Sequence, residues 1–302
     1  MKTLLAIPAH GQNTYLEKML DRISKLTVKP TECHYVIDRP NPGELDEANA
    51  ILSRAAAKMD CDMSFMAISA CVDLPEYAGN PQMNPGSEYF LAGHVRNTEI
   101  EYAVSHGYDI VIFIDGDCTP EPRLVESHER ILGGVLPAVS VGKRREVVWG
   151  LEDQRMASPR SICHFFKNTP SIVDKEFWFV DSGVIWTCNV GLNISAIKAI
   201  RSLNRELYGR EEVFSSDFHG TWGGEDGFLG LECFYSGIPV FALPDGENGI
   251  IHQPHTRPLS KYDHPAFMPF LETMREDLLY RMRLHGKYDG KYIPRTQMRI
   301  PR

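Results

Sequence analysis

Four short apolar runs, separated by stretches with helical spacing, fill the first 115 residues, and no other feature restricts the fold as much. TLLAIPA (3–9), CHYVID (33–38), DMSFMAIS (62–69) and DIVIFID (109–115) have the length and the apolar, partly β-branched content of strands. TYLEKMLDRISKL (14–26) sets Tyr15, Leu16, Met19, Leu20, Ile23 and Leu26 on one helical face. GELDEANAILSRAAAKM (43–59) and AGHVRNTEIEYAVSHG (92–107), the latter ended by Gly107, also read as helices. Strands that alternate with helices pair in parallel, because each crossover returns over the face of the sheet. The expected class is α/β, with a mostly parallel, doubly wound sheet and helices on both faces.

The second half is less regular. It offers a strand around AVSVGKRREVV (138–148), a helix SAIKAIRSLNREL (195–207), and a helix opened by GTWGGEDGFLGLECFYSG (220–237). VDLPEYAGNPQMNPGSEYF (72–90), with three prolines and two glycines, reads as a long loop of the kind that carries function or moves. The expected organisation is a regular half over residues 1–150, a less regular half over 151–260, and a helix with a basic tail over 261–302.

In doubly wound sheets, ligands sit at the carboxyl ends of the strands. Asp38 and the pair Asp115 and Asp117 fall there. Two carboxylates one glycine apart, after a buried strand, suit a hard divalent cation, which takes carboxylate oxygens together with phosphate oxygens of a substrate. Such an ion neutralises a departing diphosphate. A surface turn would also use Asp-Gly-Asp, so the spacing alone leaves both readings open.

Composition narrows the class. With 302 residues, 43% hydrophobic and 24% charged, the chain can bury a substantial core, and disorder is excluded. A net charge of -8 argues against a surface that coats nucleic acid throughout. Arg281, Arg283, Lys287, Lys291, Arg295, Arg299 and Arg302 nevertheless face a single acid, Asp289, in the last stretch, which is either a solvated end or a phosphate-facing one. Seven cysteines without a CxxC pair favour reduced thiols and a cytoplasmic location. The apolar run before Pro8 and His10 is too short for a signal peptide, and no run is long enough for a transmembrane segment.

Taken in order, LLAIPAH, CHYVID, GHVRNTEIEYAVSHGYDIVIFIDGDC and WGGEDGFLGLECF resemble the signatures of GT-A fold glycosyltransferases of the family 2 type, over residues 3 to 255. The resemblance implies a nucleotide-sugar-binding half over residues 1–150 and an acceptor-binding and catalytic half over 151–260, with a nucleotide site opened by the first strand, Pro8 and His10 at its end, and a base contact from Asp38. It implies further donor contacts from Arg96, Asn97, Asp115, Trp222 and Gly224, and a metal held by Asp115 and Asp117. In inverting relatives one carboxylate of the Glu-Asp motif is the general base, which implies Asp226 as base and Glu225 as the grip on acceptor hydroxyls. The WGGED segment and GIIHQPHTRP are similar to the galactosyltransferase-like branch, in which a histidine completes the metal site. That implies His252 as the third ligand, with His255 as the alternative or a phosphate contact, and favours Mn²⁺ over Mg²⁺.

The WGGED segment also has physics of its own. Gly223 and Gly224 allow a tight turn, Glu225 and Asp226 sit in a first helical turn where the macrodipole favours anions, and Trp222 offers an apolar platform for a sugar. A well-capped helix would use the same residues. Lys143, Arg144 and Arg145 could meet a diphosphate, an acceptor or only solvent, and Asn189 and Asn193 could contact a sugar or the backbone.

The expected function is metal-dependent transfer, with inversion, from a nucleoside-diphosphate sugar, UDP-linked, to a hydroxyl of a glycan, a protein or a hydroxymethylated base in DNA. The alternatives are a nucleotidyltransferase and a sugar-binding protein. PAHGQNTYL has one glycine and no basic residue before Lys18, unlike a nucleotidyltransferase loop, and a binding module needs no complete set of Asp115, Asp117, Glu225 and Asp226.

Overall fold

The computed structural model describes residues 1–10, 13–59, 63–70, 91–134, 136–147, 156–157, 178–179, 185, 187–218, 224–243, 248–253 and 267–287. The first half follows the expected alternation: β1 (Thr3–Ala9), α1 (Asn13–Ile23), β2 (Glu32–Asp38), α2 (Glu44–Ala56), β3 (Ser64–Ala70), α3 (Ala92–Ser105) and β4 (Ile110–Ile114). The second half adds β5 (Cys118–Pro120), α4 (Leu124–Leu132), β6 (Val139–Val141), β7 (Arg144–Val147), β8 (Met156–Ala157) and β9 (Trp178–Phe179). It continues through β10 (Asn189–Asn193), α5 (Ile194–Tyr208), α6 (Glu225–Tyr235), β11 (Val240–Ala242), β12 (Ile250–His252) and α7 (Phe267–Leu284).

The main sheet has the order β3-β2-β1-β4-β10-β6-β11-β9. Parallel pairing joins β3 to β2, β2 to β1, β1 to β4, and β6 to β11. β10 runs antiparallel between β4 and β6, so the parallel pattern reverses where the two halves meet.

Alternate residues of each strand feed two cores. Leu5, Ile7, Ile110, Ile112 and Ile114 pack with Leu16, Met19 and Leu20 of α1, Ile51 and Leu52 of α2, and Leu124 of α4. Leu4, Ala6, Val111 and Phe113 pack on the opposite face with Ile100 and Ala103 of α3, Ile197 and Ile200 of α5, and Leu229 of α6. A strand covered on both faces has to be apolar throughout, which is why IVIFI has no polar alternation. In α1 the expected face holds for Leu16, Met19, Leu20 and Ile23, while Leu26 is buried beyond the helix end and Tyr15 is half-buried. Leu278 and Met282 of α7 dock on Leu203 and Leu207 of α5 and Phe228 and Leu231 of α6.

The stretch 138–148 is two strands, not the single one expected. β6 belongs to the main sheet, and β7 to a second sheet of order β5-β12-β7-β8. The break falls at Gly142, whose N–H donates to the Asn189 carbonyl at 2.9 Å. A Cβ at Gly142 would lie 2.1 Å from Asn189 Nδ2, so only glycine lets the Asn189 side chain pass the backbone there. Among the described residues, no helix is long and apolar enough to cross a membrane.

Candidate active site

The Asp-Gly-Asp turn is pinned to the end of β1. Gly116 N–H donates to the Pro8 carbonyl at 2.8 Å, and Cys118 N–H to the Asp115 carbonyl at 2.9 Å. Pro8 therefore helps to shape the turn through its backbone. One strand further out, Asp38 is buried and accepts from Leu91 N–H at 2.9 Å. Arg39, at φ 45, lies with Nε 3.2 Å from its carboxylate. His10 Nδ1 is 3.8 Å from Asp38 Oδ2 on a side chain 42% exposed, so the end of β1 is the wet side of this group.

β5 leaves the turn and pairs antiparallel with β12, His252 opposite Cys118. That register brings residues 135 apart in sequence together, with His252 Nε2 3.3 Å from Asp117 Oδ2. Both are buried, and the Cys118 thiol donates to Asp117 Oδ1 at 3.2 Å. Gln253 N–H donates to the Asp117 carbonyl at 2.7 Å, and Lys18 Nζ to Gln253 Oε1 at 2.5 Å, which ties the strand to α1.

Arg96 joins the two halves. It projects from α3, is 3% exposed, and donates from Nη2 to Asp115 at 3.0 Å and from Nη1 to Glu225 at 2.9 Å. Burial by itself lowers the pKa of Arg96, but Asp115, Glu225 and Asp226 outweigh it and hold the cation charged. The Asp115 carboxyl is raised above the usual range by desolvation, with Asp117 adding to the rise and Arg96 and Arg144 opposing it.

Glu225 and Asp226 open α6 after Gly224, at φ 106. A Cβ on Gly224 would meet Phe218 Cδ1 at 2.7 Å, so both backbone conformation and space require glycine. Glu225 points inward to Arg96, whereas Asp226 is half-buried and accepts from Gly227 N–H at 2.7 Å. Of the two acids, Asp226 is the one open to an incoming group.

Asn97, expected among the donor contacts, is engaged elsewhere. Its Oδ1 accepts from Val213 N–H at 3.2 Å and Phe214 N–H at 2.9 Å, and its Nδ2 donates to the Phe214 carbonyl at 2.7 Å. Asn189 and Asn193 meet backbone. Asn193 caps α5 through Ala196 N–H, and Asn189 donates to the Lys143 carbonyl at 3.1 Å while His128 and Ser140 complete its chain of hydrogen bonds. Burial pushes His128 down to about 4, so this imidazole is neutral. Arg145 pairs with buried Glu121 at 2.7 Å. Arg144, next to it, acts on Asp115 through space, a role the sequence left open. In the basic tail, Arg281 donates to Asp277 and the Leu207 carbonyl, and Lys287 pairs with Glu206, so its first part docks on α5. Trp222, Gly223, His255, Arg257, the loop 72–90 and the end of the tail lie outside the described residues.

Asp117 and His252 give one carboxylate and one imidazole side by side, with Asp115 drawn toward Arg96. Among the described residues, no group of three or more His, Cys, Asp or Glu stands ready around one ion. The pair fits an ion that takes its remaining ligands from a diphosphate and water, as such ions commonly do.

No protein-family model matches the sequence, and no curated protein does. Solved structures do. Residues 1–349 of S. aureus TarS superpose with a TM-score of 0.52 at 13% identity, over 96% of this chain and 74% of that one. The same protein in complex with UDP gives 0.53 at 14%, over 96% and 73%, and in complex with UDP-GlcNAc 0.52 at 12%, over 93% and 72%. At such identity the likeness speaks for architecture, and that architecture is the α/β GT-A fold, its first and second halves continuous through one sheet.

Proposed function

We propose that the protein is a glycosyltransferase that moves a sugar from a UDP-sugar to a hydroxyl acceptor, with a divalent metal, Mn²⁺ in preference to Mg²⁺, and with inversion. The observation that carries the reading is the convergence of Asp115, Asp117, His252, Arg96, Glu225 and Asp226 at the carboxyl ends of β1 and β4 and the start of α6. A GT-A fold whose likenesses include a protein solved with UDP and with UDP-GlcNAc supports the donor class.

Asp117 and His252 would hold the metal, which supplies positive charge to a leaving diphosphate. Imidazole is less typical of Mg²⁺ than of Mn²⁺. His10 and Asp38, side by side at the ends of β1 and β2, would contact the base and ribose, and Arg144 adds positive charge beside Asp115. Asp226 takes the proton of the acceptor hydroxyl as its oxygen bonds to the anomeric carbon, and the electrons of the breaking C–O bond leave with the diphosphate. Attack from the face opposite the leaving group inverts the centre.

The acceptor is a hydroxyl of a glycan, a protein or a hydroxymethylated DNA base; the net charge of -8 weighs against the last. The described cysteines, Cys33, Cys118, Cys188 and Cys233, are buried thiols, in keeping with a cytoplasmic protein.

The test is binding and hydrolysis of a panel of nucleotide sugars with Mn²⁺ or with EDTA, comparing the natural chain with Asp117→Ala and Asp226→Asn. Metal-dependent turnover of a UDP-sugar, lost in both variants while Asp226→Asn still binds UDP, supports the reading. Silence across the panel rejects it and points to a nucleotidyltransferase or a binding protein.

A further inference from the structure

We infer that Arg96 is a positioning residue that sets where the Asp226 base stands relative to the donor, by holding Asp115 with one nitrogen and Glu225 with another; this rests on the glycosyltransferase reading. The two carboxylates belong to different halves. Asp115 ends a strand of the donor half, and Glu225, 129 residues from Arg96, is the first residue of the helix that carries Asp226. The terminal nitrogens of the buried guanidinium are thus committed to protein carboxylates, while its Nε has no hydrogen-bond partner among the described residues.

The same face of α3 grips this region at two further points. Gly93, one turn before Arg96, lies so close that a Cβ there would be 3.7 Å from Glu225 Cβ and 3.3 Å from Phe214 Cβ. Asn97 fastens the backbone of Val213 and Phe214, and the Arg96 guanidinium lies 5.7 Å from the centre of the Phe214 ring. The start of α3 therefore acts as a ruler between the diphosphate side and the base side. Slack in the Arg96–Glu225 bond passes directly to the neighbouring Asp226, and a misplacement of about 1 Å at a reacting group can cost on the order of 100-fold in rate. Glu225 in this arrangement positions a helix and does not grip the acceptor.

A forked guanidinium can hold two carboxylates at fixed separation, which a lysine ammonium cannot. The variants are Arg96→Lys, Glu225→Gln, which keeps an oxygen for Nη1, Glu225→Ala, and the double variant Arg96→Lys with Glu225→Ala. The readouts on the full chain are the Kd for UDP, steady-state hydrolysis of UDP-N-acetylglucosamine, and hydrogen exchange of the amides at 227–230. Arg96→Lys is expected to lower kcat about 100-fold while changing the Kd for UDP less than about 3-fold. Glu225→Gln should stay within about 5-fold of the natural chain. Glu225→Ala should fall as far as Arg96→Lys, with the double variant no lower than either, because both cut one link. Exchange at 227–230 should speed up in both damaged variants and not in Glu225→Gln.

A Kd for UDP weakened tenfold or more by Arg96→Lys with kcat retained would make Arg96 a donor ligand and overturn the inference, as would additive losses in the double variant. If the natural chain neither binds UDP nor hydrolyses the sugar nucleotide, the glycosyltransferase reading falls. The exchange data then still decide whether Arg96 holds α6: unchanged exchange in Arg96→Lys and Glu225→Ala overturns the inference on its own.

Discussion

Glu225 and Glu232 lie two turns apart on α6, and both are buried, yet they live in opposite electrostatic worlds. Glu225, at the amino end of the helix, receives Arg96 and the favourable end of the helix dipole. Glu232 is fully buried against α5, with Asn204 within hydrogen-bonding reach and no ion-pair partner among the described residues. Desolvation pushes its carboxyl up to about 8, against the opposing pull of Asn204 and Arg210 and with Glu212 and Asp217 adding to the rise. Among the described residues its two oxygens and Asn204 Oδ1 all lack a donor, and the proton on a neutral Glu232 supplies one. Burial does not decide the charge of an acid; its partner does.

The largest effect expected from breaking this contrast is at Arg96. Arg96→Met leaves Asp115 and Glu225 facing each other without their cation, which should cost about 3 kcal/mol in urea unfolding at pH 7 and turn Glu225 into a second Glu232. The loss should shrink at low pH, because the carboxyl of Asp115, already raised by desolvation, is then neutralised. Equal destabilisation at pH 4 and pH 7 would show that packing, not charge, is what Arg96 supplies.

Glu232→Gln sharpens the other side. Its folded pKa of about 8 lies above the ordinary 4.5, so between those values the unfolded chain releases a proton that the folded chain keeps. Stability therefore falls as pH rises from 4.5 to about 8 and levels off beyond. Glutamine removes this slope: the variant should match the natural chain near pH 4.5 and exceed it by roughly 2 kcal/mol at pH 8, since a tenfold change in acidity corresponds to about 1.4 kcal/mol and local relaxation takes back part of the total. Parallel stability curves for the two proteins would refute the assignment.

Gly224→Ala attacks the paired end through the backbone. At φ 106, with Phe218 in the way, alanine should cost about 2 kcal/mol and move the first turn of α6. Thermal unfolding reads the first effect and the transfer rate the second. The smallest change expected is Asn193→Ala, about 1 kcal/mol from the lost cap of α5. Because α5 presents Asn204 to Glu232, this variant should alter the pH slope while leaving the affinity for UDP untouched; a changed UDP affinity would deny that the two ends of α6 are separable.

The alternation of strands and helices was legible because each segment carries its own period, so β1 and the core of α1 fell where the pattern put them. Asp115, Asp117, Glu225 and Asp226 were legible as candidates, since strand ends and helix starts can be read locally. The split of 138–148 was not, because it depends on Asn189 reaching Gly142 from another strand. Asn97 looked like a donor contact by its position beside Arg96, and only the path of residues 213–214 reveals that its amide is spent on backbone.

By itself the sequence determined an α/β chain with a buried parallel core and acids at the ends of its strands, since hydrophobic period and turn chemistry act over a few residues. The tertiary structure decided which acids meet which bases. Pairings such as Arg96 with Glu225, and His252 with Asp117, are set by sheet order and by the register of β12 on β5. Electrostatic energy depends on distance through space, which spacing along the chain does not give.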